Sequence, residues 1–138
     1  GLEFEFIETD LGDAHPNTVK FIMETKKGNY CEVIGSSIGG GSIQITEVNG
    51  NKVEFTGDYP TLIISHQDVP GAVSNVTSIL YKEHINIAFM KVFRKQRGKG
   101  ATMVFEVDNR LNDDVIDEIK GIDSISRVIR INPVKEEE

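Results

Sequence analysis

The run from His66 to Gly71, which reads HQDVPG, contains residue types from which a small-molecule site can be built. Gly71 has no Cβ, so backbone N–H groups at the start of a following helix can approach a carboxylate closely. His66 and Asp68 can hold an amino group or a polar side chain. The same residues also have a purely structural interpretation, with Asp68 as a helix N-cap, Gly71 as a close-packing residue and His66 as an exposed loop histidine.

A second set of groups suited to an anion lies nearer the start of the chain. His15 can donate to a carboxylate, and Asn17 can both donate and accept. The consecutive glycines Gly39, Gly40 and Gly41 can offer backbone N–H groups as an anion-binding nest. Two alternatives remain open: a turn in which Asn17 bonds its own backbone, and a glycine loop that contacts a partner chain.

The elements that must position the HQDVPG run follow from periodicity. Residues 61–65 (TLIIS) form a short β-branched run typical of a buried strand. Asp68 is placed to cap a helix, and Pro70 suits the first turn of that helix, which runs to about Lys82. Residues 85–93 alternate as a strand. The helix face is expected at Val73, Val76, Ile79 and Leu80, and one side of the strand at Ile85, Ile87 and Phe89.

The rest of the chain repeats the pattern. A polar hairpin loop at 95–100 (KQRGKG) separates the previous strand from an apolar strand at 101–107. Asn112 is the expected N-cap of a second helix that ends at Gly121, and residues 126–132 form the last strand. The buried stripe of this helix is expected at Val115, Ile116 and Ile119. The order βαββαβ predicts an α+β, ferredoxin-like domain with two helices on one face of a four-stranded antiparallel sheet.

The N-terminal part, residues 1–58, reads as antiparallel β structure. Strand patterns occupy residues 19–25, 30–37, 43–48 and 52–55. Asn49-Gly50 is a strong signal for a two-residue hairpin. We therefore expect a β-rich segment before the ferredoxin-like domain at 59–138.

The stretch LIISHQDVPGAVSNVTSILYKEHINIAFMKVFR resembles the opening of an ACT domain, an amino-acid-binding regulatory module. It is most similar to the terminal ACT domain of phosphoglycerate dehydrogenases, in which a His-x-Asn/Asp-x-Pro-Gly turn precedes a helix and an Asn-Ile strand. The resemblance implies a domain at 59–138 that forms a homo-oligomer through its sheet. It implies ligand contacts at His66, Asp68, Val69, Gly71, Asn86 and Ile87.

The combination LGDAHPNTVKF and EVIGSSIGGGSIQITEVNG resembles the β chain of bacterial iron–sulfur L-serine dehydratase, in its C-terminal portion. The resemblance implies that residues 1–58 are part of a domain related to the allosteric substrate-binding domain of some phosphoglycerate dehydrogenases. It also implies a partner, a catalytic α chain whose [4Fe–4S] cluster converts L-serine to pyruvate and ammonia. This chain is then a regulatory and structural subunit that senses L-serine or another amino acid.

Two other functions remain open. The chain can be a regulatory, ACT-containing fragment of a phosphoglycerate dehydrogenase, with serine as feedback inhibitor, or a stand-alone amino-acid-binding and dimerisation module. The longer N-terminal segment of the dehydratase family, with its Ser-Ser-Ser-His-Thr-type stretch, is not found, and the chain has no initiator Met. We therefore expect the C-terminal part of a longer β chain.

Composition bounds the chemistry. The single cysteine, Cys31, cannot by itself hold a cubane cluster, which needs about three or four thiolates, and it fits a reducing cytoplasm. No nucleophile elbow, phosphate loop or zinc spacing is present, so no catalytic or metal-binding residue is expected. No apolar run approaches the roughly 18 residues of a membrane span.

Charge argues against nucleic acid as a partner. The net charge is −7, and residues 1–60 hold 4 Lys/Arg against 10 Asp/Glu, or −6. The basic residues between 91 and 99 raise an RNA-binding alternative on a ferredoxin-like sheet, but no RNP1-like octapeptide accompanies them. These residues are Lys91, Arg94, Lys95, Arg97 and Lys99, and we expect a solvated hairpin or a contact with an acidic partner.

Overall fold

The computed structural model describes Glu5, residues 17–94 and residues 96–133. These residues form two four-stranded sheets and two helices, which confirms the α+β class. The first sheet contains β1 (Thr18–Glu24), β2 (Tyr30–Gly39), β3 (Ser42–Val48) and β4 (Asn51–Phe55). The second part contains β5 (Thr61–Gln67), α1 (Ala72–Lys82), β6 (Ile87–Arg94), β7 (Gly100–Val107), α2 (Asp113–Lys120) and β8 (Ile125–Ile131).

The N-terminal sheet is an antiparallel meander in the order β1-β2-β3-β4. Its β3–β4 hairpin turns at Asn49 and Gly50, with φ of 51° and 77°, as the Asn-Gly signal predicts. Its β2–β3 hairpin turns through Gly39, Gly40 and Gly41, with φ of 93°, 64° and 78°. Three successive left-handed residues explain why three glycines occur there.

The second sheet has the order β6-β7-β5-β8 with antiparallel neighbours throughout, which confirms the ferredoxin-like arrangement. β6 and β8 are its edge strands. Both helices cover one face of this sheet, and the core between them is apolar. Its largest fully buried side chains are Leu62, Ile64, Val76, Leu80, Met103, Phe105, Val107, Val115 and Ile119.

The opposite face of the second sheet packs on the N-terminal sheet. Ile63 and Val104 point away from the helices and join Val48, Val53 and Phe55 in a second buried cluster. The main-chain N–H of Thr56 also donates to Glu106 Oε1 at 3.3 Å. The two sheets therefore share a core, and neither face of the central strand β5 is open to solvent.

Helix α1 begins later than the sequence indicates. Its N-cap is Gly71, with φ +89°, and no side chain caps it. The prediction of Asp68 as N-cap is therefore wrong, and Pro70 lies in the turn before the helix. The physical reason is that the Asp68 carboxylate is already bound to Arg94 and to the Gly98 N–H.

Strand β6 also departs from the expected alternation. Its pairing with β7 shifts register between Ile87, opposite Val107, and Phe89, opposite Glu106. The shift places Ile87 on the helix side and Phe89 on the other face, so the prediction of one shared side is wrong. At α2 the prediction is confirmed: Asn112 Oδ1 accepts from the Val115 N–H at 3.0 Å.

Candidate functional site

His66 lies within strand β5 and is only 4% exposed, so its interpretation as an exposed loop residue is wrong. Its Nδ1 lies 2.7 Å from the carbonyl oxygen of Gln67. Because a carbonyl only accepts, this contact requires a proton on Nδ1, and in the tautomer that carries its single proton there Nε2 presents a lone pair. Nε2 is buried and has no hydrogen-bond partner in the part of the chain that the structure describes. The ring can therefore accept from a ligand hydroxyl or ammonium group.

Asp68 links the turn after β5 to the β6–β7 hairpin. Its Oδ2 accepts from Arg94 Nη1 at 2.8 Å and from the Gly98 N–H at 3.1 Å. Its own N–H donates to the Lys99 carbonyl at 2.7 Å. The Arg94 guanidinium, followed by the Gly98 N–H, holds the pKa of Asp68 below its usual range. This carboxylate is ionised at neutral pH and positions the turn.

Gly71 is required by backbone conformation. At φ +89° most residues are strained, whereas an ideal Cβ there would meet nothing closer than Asn75 Nδ2 at 3.8 Å. The first N–H groups of a helix have no acceptor within the helix, and at α1 no capping side chain supplies one. The adjacent Val69 is 41% exposed. The Ala72 N–H donates to the Val69 carbonyl at 3.3 Å, so the N–H groups of Val73 and Ser74 are those left to bind a carboxylate.

Asn86 and Ile87 lie at the far end of the same sheet. Ile87 opposes Val107, whereas Arg94 at the other end of β6 opposes Ala101, the neighbour of His66. The strand spans roughly 23 Å at about 3.3 Å per residue. Asn86 Nδ2 donates to Asp108 Oδ2 at 2.7 Å. Within one chain, the structure therefore separates the residues that the ACT resemblance groups together.

The candidate residues of the N-terminal part lie only partly within the described part of the chain. His15 lies outside the described residues, whereas Asn17 lies beside the start of the glycine hairpin, where its carbonyl accepts from the Ser37 N–H at 3.0 Å. A Cβ built on any of Gly39, Gly40 and Gly41 would meet no atom within 4 Å. The glycines therefore form a projecting tip. The isoleucines that flank this tip, Ile38 and Ile43, are 54% and 53% exposed.

A cleft that the sequence did not indicate adjoins His66. Its volume is about 830 Å³, and it lies where the β6–β7 hairpin meets strand β4 of the N-terminal sheet. The residues relevant here are Lys52, Ser65, His66, Arg94, Lys99 and Thr102. In the sequence, the basic residues of the KQRGKG loop could have indicated an anion site. The presence of Lys52 at the cleft could not be predicted, because it depends on how the two sheets pack.

The described ranges contain neither a cluster of metal-ligating side chains nor a helix able to span a membrane. No group of three or more His, Cys, Asp and Glu side chains there could hold a metal ion. Cys31 is half-buried in β2 and has no second thiol in the sequence. None of the helices in the described part of the chain has the length and apolar character needed to cross a bilayer.

Comparison with known proteins is consistent with this architecture. Residues 60–124 match the family model of the ACT domain. The chain is 38% identical over 131 residues to the probable L-serine dehydratase, beta chain, of Bacillus subtilis (strain 168), covering 95% of this chain and 59% of the relative. It is 35% identical over 124 residues to the L-serine dehydratase, beta chain, of Peptoniphilus asaccharolyticus, covering 89% of this chain and 56% of the relative.

A second group of relatives shares the same region. The D-3-phosphoglycerate dehydrogenase of Methanocaldococcus jannaschii is 33% identical over 120 residues, which is 87% of this chain and 22% of that enzyme. Of the two dehydratase β chains named above, this chain spans less than 60% of the length. Both resemblances that the sequence indicated are confirmed.

Proposed function

The chain contains an ACT domain and resembles L-serine dehydratase β chains along most of its length, and on this basis we propose that it is a regulatory and structural β subunit of such a dehydratase. In this proposal a separate α chain converts L-serine to pyruvate and ammonia. The one cysteine of this chain does not fit a [4Fe–4S] cluster, so the cluster is assigned to the α chain. The ACT domain senses an amino acid such as L-serine.

One observation supports the sensing role. Asn86, just before β6, and His66, near the end of β5, lie at opposite ends of the second sheet, and β6 is an edge strand of that sheet. The edge strand has apolar side chains at Phe89, Met90 and Val92 that are 39–44% exposed. Antiparallel pairing of β6 with β6 of a second copy would place Asn86 of one copy beside the His66 end of the other. The dimer would thereby assemble two complete sites.

The groups assembled in this way match an amino acid. The uncapped start of α1 at Gly71 offers N–H groups to the carboxylate. His66 Nε2 accepts from the ammonium or hydroxyl group, and the Asn86 amide can accept or donate. Asp68 keeps the turn in place through Arg94.

Calorimetry with L-serine tests this site. Asn86→Ala should weaken L-serine binding at least about ten-fold, the loss expected for a hydrogen bond to a charged group. Asp108→Ala is the matched control, because it removes the internal Asn86–Asp108 hydrogen bond and leaves the Asn86 amide in place. Equal affinity of the two variants would show that Asn86 does not contact the ligand.

Mixing of variants tests whether the site is shared between copies. An Asn86→Ala copy paired with a His66→Gln copy retains one intact site, so an equal mixture should recover about a quarter of the sites. Failure of the mixture to recover any binding, with both variants folded, would place the whole site within one copy.

We also propose that the glycine hairpin contacts the catalytic α chain. Its tip projects from the sheet and carries exposed Ile38 and Ile43. Gly40→Val should weaken association with the α chain in a pull-down. Gly28→Val is the matched control, since Gly28 also has positive φ, at 81°, in a hairpin with open space at its Cβ. Equal retention by both variants would argue against the contact.

The similarity to phosphoglycerate dehydrogenase supports a second candidate, a regulatory fragment that binds serine as feedback inhibitor. Anaerobic co-purification with an α chain distinguishes the two functions. A brown complex that releases pyruvate from L-serine supports the dehydratase. A colourless homo-oligomer without that activity supports the dehydrogenase fragment or a stand-alone sensor.

A further inference from the structure

The cleft between the β6–β7 hairpin and strand β4 has an unusual charge for this chain. Its lining includes three basic side chains, Lys52, Arg94 and Lys99, and no Asp or Glu. The whole chain, in contrast, has a net charge of −7. A local excess of positive charge in an acidic protein attracts small anions selectively to that place.

Two of the three cations are available to a ligand. Arg94 is paired with Asp68 at 2.8 Å. Neither Lys52 nor Lys99 forms an ion pair with any residue that the structure describes. Both belong to different parts of the fold, Lys52 to β4 of the N-terminal sheet and Lys99 to the hairpin of the ACT domain. Two lysines outside any ion pair of the described residues thus line one cleft from two parts of the fold, with Glu54 acting on Lys52 only through a longer-range electrostatic interaction.

Three residues with hydroxyl groups line the cleft, and one of them is buried. Thr102 lines it and is 4% exposed, and Ser65 and Ser126 lie beside it, with Ser126 Oγ donating to the Ser65 carbonyl at 3.0 Å. The Ser126 proton is therefore used within the chain, whereas the hydroxyl groups of Ser65 and Thr102 can donate to an oxyanion. Phe93 supplies the apolar part of the wall. The volume of about 830 Å³ accommodates a small organic anion.

We propose that this cleft binds a compact oxyanion, a carboxylate or phosphate group of a small molecule, between Lys52 and Lys99. The bound anion holds the N-terminal sheet and the ACT hairpin together, because each supplies one of the two lysines. Binding to the folded state raises the free energy of unfolding with the logarithm of one plus the ligand concentration over Kd, so the thermal midpoint rises as ligand is added. Lys52 and Lys99 are not part of the proposed amino-acid site, so failure of either proposal leaves the other testable.

Calorimetry and thermal melts with two probes, inorganic phosphate and succinate, test the inference. Sodium chloride at matched ionic strength is the control for screening. Lys52→Gln and Lys99→Gln should each weaken binding of the effective probe about ten-fold. Lys26→Gln, which removes the same charge from an exposed turn between β1 and β2, should leave it unchanged.

Each outcome of these measurements either supports or overturns the proposed anion site. A response to phosphate alone assigns the cleft to phosphate groups, and a response to succinate alone assigns it to carboxylates, provided that the Lys52 and Lys99 variants lose it. The inference is overturned if neither probe binds, if sodium chloride has the same effect, or if all three lysine variants bind equally.

Discussion

Asp68 and Arg94, 26 positions apart in sequence, are joined by a 2.8 Å hydrogen bond between Oδ2 and Nη1. The contact connects the turn before α1 with the last residue of β6. The N–H groups of Asp68 and Gly98 add two further bonds across the same junction, to the Lys99 carbonyl and to the Asp68 carboxylate. The proposed amino-acid site and the cationic cleft therefore share one framework.

Asp68→Asn should make stability less sensitive to acid. The pKa of Asp68 in the folded state lies below its ordinary value of 3.8, because of Arg94 first and the Gly98 N–H second. A depressed pKa contributes stability that is present above 3.8 and is lost as the pH falls through the folded value. Urea unfolding at pH 7 and at successively lower pH should show the variant losing less stability than the parent chain. The exposed Asp123→Asn is the control, and identical pH slopes for the parent chain and Asp68→Asn would contradict the prediction.

Gly71→Ala should destabilise the chain by about 1 kcal/mol, the cost of holding a residue with a Cβ in the left-handed region. The side chain itself has room, so the loss comes from backbone conformation. Gly100→Ala is the matched control, because Gly100 has open space at its Cβ without a positive φ. Chemical denaturation of both variants measures the difference. A loss at Gly100 equal to that at Gly71 would refute the conformational explanation.

Phe55→Ala should cost about 3–5 kcal/mol. Phe55 is 4% exposed and belongs to the cluster that joins the two sheets through Ile63 and Val104. Tyr59→Ala, at an aromatic residue that is 47% exposed, should change the free energy of unfolding much less. If denaturant unfolding gave equal small losses for the two variants, the sheets would not share a core in solution.

Asn112→Ala should destabilise the chain by about 1 kcal/mol, the usual cost of removing an N-cap. The lost bond is the one from the Val115 N–H to Asn112 Oδ1, at 3.0 Å. Asn112→Asp keeps an acceptor and should retain most of the stability. Thermal unfolding of the three proteins compares them, and a stable Asn112→Ala would show that water replaces the cap without cost.

Local chemistry made much of the fold predictable. Asn49-Gly50 forms the expected hairpin, Asn112 caps the expected helix, and the βαββαβ order is confirmed. These features depend on residues within a few positions of one another, through turn conformation, capping and periodicity. For the same reason both family resemblances could be read from short runs of residues.

Other features depended on contacts between distant residues. The sequence suggested an N-cap role for Asp68, but Arg94 and Gly98, which follow it by 26 and 30 positions, take its carboxylate. A register shift in β6 turned Phe89 away from the side of Ile87. A side chain with two possible partners goes to the one that tertiary packing brings near, and periodicity does not show which one that is.

By itself the sequence determined the order of strands and helices, the ACT resemblance and the residues available for a ligand, since these follow from local pattern and residue type. Only the tertiary structure decided where those residues lie. It buried His66 with an unpartnered Nε2, placed Asn86 at the other end of the sheet, and brought Lys52 to the same cleft as Lys99. The physical reason is that strand pairing and the packing of two sheets set distances between residues far apart in the chain, and no local pattern encodes those distances.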